Sequence, residues 1–200
     1  MDTLKGKNVL LGAVITGSLL FAGFWTLSLG GKPSSTQFSI PPEKVAAYVH
    51  AIIEADRTIY ATKIVDRMQK MGIVNADEHW EQTNSLLLPA QFLQFSGSLV
   101  ARKGSGIRFR LISLWPIYER NAPASAFEEK GLQSVAKHPN RPYTGVVKSG
   151  KSRYFQAIYA DKAIAKTCVT CHNTHPLSPR RDFKLNEVMG GIVITIPLDK

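Results

Sequence analysis

Cysteine is nearly absent from this chain: there are two in 200 residues, Cys168 and Cys171, both inside the pentapeptide CVTCH. That scarcity excludes a disulfide-stapled scaffold, because a bridge between residues three apart closes a tiny loop and restrains little of the unfolded chain. Internal repeats and low-complexity tracts are missing as well. With 44% hydrophobic residues the length suits one compact core. Acidic residues are outnumbered, 15 against 25 basic, for a net charge of +10. No single block holds the excess: Arg102, Lys103, Arg108, Arg110, Lys148, Lys151, Arg180 and Arg181 fall in different segments. Such a surface suits acidic lipid, an acidic protein partner, an anionic cofactor or plain solvent.

Charge itself is missing from Val9 to Leu29, VLLGAVITGSLLFAGFWTLSL. At about 1.5 Å per residue, a helix of that length crosses the roughly 30 Å hydrocarbon core of a bilayer. Lys5 and Lys7 precede the run, which predicts a cytoplasmic N-terminus and an exported remainder. A cleaved signal peptide is the alternative, since Ser28-Leu29-Gly30 offers small residues to a signal peptidase. The expected organisation is an anchor or signal peptide over 1–31, a linker over 32–42 and an extracytoplasmic domain over 43–200. An exported domain has no routine access to nucleic acid, so the expected partners are the membrane and a redox or signalling protein.

Pro41 and Pro42 open a predicted helix from Glu43 to Met71, stopped by Gly72. Its helical period lines up His50, Ile53, Arg57, Tyr60, Ile64, Met68 and Met71. A guanidinium inside that stripe is costly unless the edge is exposed or an anion meets it. A short turn is expected over 76–83 and a second helix from Pro89 through Phe92, Leu93 and Leu99. Strand alternation follows in GIRFRLISLWP, ended by Pro116. Ser125 and Glu128 form a capping box for a helix reaching about His138. A hairpin around Ser149-Gly150 and a last strand, GGIVITIPL (190–198), complete an α+β domain with a mostly antiparallel sheet.

Four chemistries compete for CVTCH. A disulfide staple is weak for the reason above. A thioredoxin-like pair belongs at the start of a long helix early in a βαβ unit, whereas this pair comes late and runs into NTHPLSPRRD. Zinc finds four donors in Cys168, Cys171, His172 and His175, but His172 adjoins Cys171 without the spacer that turns successive side chains onto one tetrahedron. The pattern C-x-x-C-H is that of c-type haem attachment, in which two thiols add across the vinyl groups and the next histidine binds iron. Such attachment occurs outside the cytoplasm, where the N-terminal segment directs the domain. One covalently attached haem c is therefore the expected cofactor. Its propionates are anions that Arg57 could meet, with Tyr60 one turn on as a hydrogen-bond donor.

The segment CVTCHNTHPLSPRRDFKLNEVMGGIVI, the helix carrying Arg57 and Tyr60, LPAQF (88–92) and SLWPIYERNAP (113–123) together resemble the Tll-like haem domain family over roughly Glu43 to Pro197. The resemblance implies a PAS-like antiparallel sheet with flanking helices. It implies thioethers at Cys168 and Cys171 and a proximal iron ligand at His172. Some members ligate the opposite face with a cysteine, and this chain has none to spare. By chemistry the sixth-ligand candidates are His50, His79, Met68, Met71, Tyr60 and His175, with Met71 and His79 ahead because they lie near the helix end. The expected protein is a membrane-anchored monohaem sensor of redox state or a small ligand, the alternative an electron-transfer cytochrome. No distal acid/base pair for an enzyme is identifiable.

Overall fold

Pro42 takes the first position of α1 (Pro42–Ile59), where the N–H it lacks would be unpaired anyway. In this computed structural model, which describes residues 39–199, the helix runs on through a π-helical turn (Tyr60–Val65) into α2 (Asp66–Lys70). The expected anchor and residues 32–38 of the expected linker lie outside the described residues; among those described, no helix is long and apolar enough to cross a membrane. The helix predicted over Glu43–Met71 is thus present but not uniformly α-helical. Thr62 returns its hydroxyl proton to the Thr58 carbonyl at 2.7 Å, a bond that bends helices. One extra residue in a turn rotates everything after it by about 100°. The stripe read from an unbroken period is therefore split: Arg57 is buried, whereas Ile64 and Met71 are exposed.

The short α3 (Trp80–Thr83) and α4 (Pro89–Arg102) lead into β1 (Arg108–Ile112). Then come α5 (Ala126–Lys137), the hairpin β2 (Tyr143–Ser149) and β3 (Ser152–Lys162), α6 (Lys166–Thr174) and β4 (Val188–Pro197). Ser125 caps α5 by accepting the Glu128 N–H, but the returning arm of the capping box is absent. The Glu128 carboxylate instead accepts from Arg110 at 2.5 Å and from the Ala124 N–H at 2.6 Å.

All four strands pair antiparallel in the order β1-β4-β3-β2, so the last strand is central beside the first. Both faces are covered. Phe109, Leu111, Phe155, Ala157, Ile192 and Ile194 point to one face, where they pack with Ala46 of α1 and Leu93 of α4. Ile112, Ile158 and Val193 point to the other, against Leu132 and Val135 of α5. Burial on two sides is why β4 reads as a continuous apolar run instead of an alternation. Gly191 permits the close approach of α5, since a Cβ there would meet Ile158 at 2.9 Å and Leu132 at 3.1 Å.

Candidate cofactor site

The chain leaves β3 through Ala163 and enters α6, whose weak local signals leave it dependent on tertiary ties. Its N-cap, Ala165, supplies no side-chain hydrogen bond. Near the other end Asn173 clamps Phe183 in both directions, donating to its carbonyl at 2.9 Å and accepting its N–H at 3.0 Å. Thr167 donates to Gln69 of α2 at 2.7 Å. A satellite core of Ala163, Phe183 and Met189 supports Cys168 and Val169 from behind. Arg180 completes this support, its guanidinium 4.6 Å from the Trp115 ring and 4.3 Å from that of Phe183 while paired with Asp182 and Glu187. Arg180 is thus committed to the scaffold.

On this platform Cys168, Cys171 and His172 stand at helical spacing on one side of α6, facing a cavity of about 450 Å³. That size falls within the roughly 300–1,000 Å³ usual for cofactor sites. Opposite stand the first turns of α4 (Pro89 to Gln94) and the segment from Pro116 to Asn121. Both thiols are free and half-buried. Burial pushes both up, and at Cys171 the charge of Glu78 adds to it. Reactive redox cysteines need the reverse, an electropositive setting that favours thiolate. Among the described residues no three His, Cys, Asp or Glu side chains come together as a metal clamp, so the four donors weighed for zinc do not converge.

His172 meets the edge of Phe183, ring centroids 5.8 Å apart at 88°. Burial, then the charges of His175 and Arg57, hold its pKa down to about 4, so the ring is neutral at pH 7 and keeps a lone pair for metal. Its Nδ1 is buried without a hydrogen-bond partner. The ring is thus desolvated without a hydrogen bond in return from the described residues. Two free thiols a turn apart, a neutral imidazole beside the second and a cavity in front of all three fit the demands of a haem held by two thioethers and one histidine.

Tll0287-like sequences match the chain over residues 40–197. The chain belongs to the Tll0287-like family. A solved structure, the crystal structure of the cyanobacterial haem protein Tll0287, aligns with a TM-score of 0.52 at 16% identity, covering 80% of this chain and 99% of that one. At that identity the likeness speaks for the fold. No match was found among curated proteins.

The other residues singled out from the sequence are dispersed. Arg57 lines the cavity, and the acid it meets is Asp161, Nη1 to Oδ1 at 2.9 Å. Tyr60 donates to the Leu87 carbonyl at 2.8 Å and stacks on Phe92, outside the cavity lining. Met71 ends α2, 58% exposed and away from the cavity, while Met68 is half-buried. His79 reaches the rim but its side chain is 71% exposed. His50 stacks on Tyr159 with centroids 3.9 Å apart. His175 accepts the Leu177 N–H on Nδ1, which leaves Nε2 to face Glu78 at 3.4 Å. Glu78 also accepts from Tyr118, and that bond chiefly holds its carboxyl below the usual range.

Asp161, Glu78 and Tyr118 were not found from sequence. A signal for Asp161 existed: Phe155, Ala157 and Tyr159 alternate toward α1, and Asp161, the only acid in β3, continues that parity. Nothing comparable marked Glu78 or Tyr118, which sit in irregular segments.

Proposed function

We propose that this domain carries one haem c, bound through thioethers at Cys168 and Cys171 with His172 as iron ligand, and serves as a membrane-anchored, extracytoplasmic sensor of redox state or of a small ligand. The observation that carries the reading is the α6 face, where two free thiols and a neutral imidazole with an orphaned nitrogen open onto one cavity in a Tll0287-like chain. When bound, the haem supplies a one-electron couple and an iron that takes axial ligands. The polypeptide fixes the thiols on one helical face, keeps His172 unprotonated and limits water with the walls from α4 and the segment after β1. The sheet order, with first strand beside last and helices on both faces, supports a PAS-like classification.

Sensing is favoured over electron transfer because, among the described residues, the cavity wall offers no preset sixth ligand. Among the described lining residues the soft or imidazole donors besides His172 and the two thiols are Met189, His79 and His175. Met189 is packed in the satellite core, His175 is engaged with Glu78, and His79 points largely to solvent. An iron without a strong second protein ligand is open to exchange.

The test is a visible spectrum of the full chain from a host that matures c-type cytochromes. A pyridine haemochrome of c type that resists acid-acetone extraction is expected, together with a prompt CO shift of the reduced protein. Colourless protein or extractable haem refutes the thioether assignment. Covalent haem that ignores CO transfers the protein to the electron-carrier class.

A further inference from the structure

The cavity wall contains an ion pair that haem attachment does not require. Arg57 on α1 and Asp161 at the end of β3 are 7% and 9% exposed. They meet two-pronged, Nη1 to Oδ1 at 2.9 Å and Nη2 donating to Oδ2 at 3.3 Å. The Arg57 Nε is buried with no partner, although the side chain lines the same cavity as Cys168 and His172. Apolar residues in place of a buried ion pair are often neutral or stabilising, so folding alone is a poor reason for its presence here. Both charges reach the cysteine platform: Arg57 opposes the upward push of burial on the Cys168 thiol, and Asp161 adds to it. A guanidinium cannot shed its proton in a protein, so Arg57 is a permanent charge beside the cavity.

We propose that the Arg57–Asp161 pair sets the reduction potential of the iron held at this site, with Arg57 the charge that faces the cavity and Asp161 the residue that positions it and offsets most of its field. The inference rests on the haem reading above. Ferric haem takes one electron from the electrode to become ferrous. The ferric state carries one more positive charge, so an unbalanced cation in the wall favours ferrous iron and an unbalanced anion favours ferric. In general, a unit charge about 10 Å from a redox centre, at an effective permittivity of about 20, shifts a one-electron equilibrium about tenfold. Paired, the two charges largely cancel; separated by mutation, each acts alone. Glu78, His175 and Arg120 also line the cavity and are unchanged in every variant compared below.

The experiment is spectroelectrochemical titration of the full-length holoprotein, wild type against Asp161→Asn, Arg57→Gln and the double variant, with circular dichroism to verify the fold. Asp161→Asn, equal in size but uncharged, is expected to move the ferrous-to-ferric ratio at fixed potential about tenfold toward ferrous, or 59 mV upward for a one-electron couple. Burial raises the pKa of Asp161 and Arg57 is the cation that lowers it. The titrations are therefore run on the alkaline side, where Asp161 stays ionised without its partner. There Arg57→Gln moves the ratio toward ferric, and the double variant returns to near wild type. Opposite signs are the diagnostic, because a merely structural role would loosen the site and shift both singles the same way. Asp161→Ser carries the same expectation should Asp161→Asn yield no holoprotein. Covalent haem with either Asp161 variant within twofold of wild type, or both singles moving together, overturns the proposal. Wild-type protein without covalent haem overturns the attachment reading with it, and the haemochrome reveals that before any potential is measured.

Discussion

Replacing Asn173 with alanine should cost far more than its half-buried position suggests. The side chain makes two bonds to one residue, 2.9 Å to the Phe183 carbonyl and 3.0 Å from the Phe183 N–H, and Phe183 is only 3% exposed. Alanine deletes two hydrogen bonds of about 1 kcal/mol net each and strands a peptide group whose desolvation costs about 1–3 kcal/mol. The sum is roughly 3–5 kcal/mol, a large share of the roughly 5–15 kcal/mol that holds a typical domain together. For a domain of this size that lowers Tm by roughly 6–20 °C. Thermal and urea unfolding of the full chain, read by circular dichroism, measures it. The control is Thr174→Ala on the same helix, exposed and bonded only to the Thr170 carbonyl one turn back, with an expected change within about 0.5 kcal/mol. Asn173→Ala no more destabilised than Thr174→Ala would show that α6 is held by its packing and that the clamp on Phe183 is incidental.

Two further perturbations test the frame around the site. A Cβ on Gly190 would press into the Ile112 carbonyl oxygen, a backbone atom that cannot swing aside, so Gly190→Ala should lose about 3 kcal/mol; an unchanged urea midpoint would refute the close approach of β1 and β4 there. His50, stacked on Tyr159 with Nε2 buried and unpartnered, has a folded pKa lowered chiefly by burial, against a weaker raising by Glu54. The unfolded chain therefore binds the extra proton more readily near pH 6.5, so this contribution is complete above that pH and is lost as pH falls from 6.5 toward the folded pKa. The stability difference between wild type and His50→Phe should change between pH 7 and pH 5, wild type losing ground; a constant difference would refute the burial argument.

The strands were legible because their alternation is local and obeys the sheet: Phe109 and Leu111 face inward as their spacing requires, and the hairpin turn falls one residue later than Ser149-Gly150, at Gly150 and Lys151. The helix face beyond Tyr60 was not legible. YATKIV contains neither proline nor glycine to announce a π turn, yet that turn decides that Met71 leaves the stripe that Arg57 shares with the interior. Helix α6 escaped notice for a different reason. KTCVTCHNT is poor in strong helix formers, and what holds it, Asn173 on Phe183 and Thr167 on Gln69, lies ten and 98 residues away in sequence.

The site shows the same division between local pattern and distant partner. Cys168, Cys171 and His172 declare a chemistry because their spacing is itself the constraint, whatever the rest of the chain does. Arg57 declared only a need, an anion to offset a buried guanidinium, and the need had two solutions: a carboxylate of the cofactor or one of the chain. Asp161 supplies the second, 104 residues away at a β-bulge between Asp161 and Lys162. The presence of Asp161 changes what Arg57 can contribute. An arginine paired only with a cofactor propionate would serve mainly as an anchor, and losing it would weaken binding. An arginine already paired within the protein keeps its charge fixed whether or not the cavity is filled, and a fixed charge beside a redox centre acts on potential more than on affinity. The orphaned Nε of Arg57 fits that role, since the fork is held by Asp161 while one donor remains free beside the cavity.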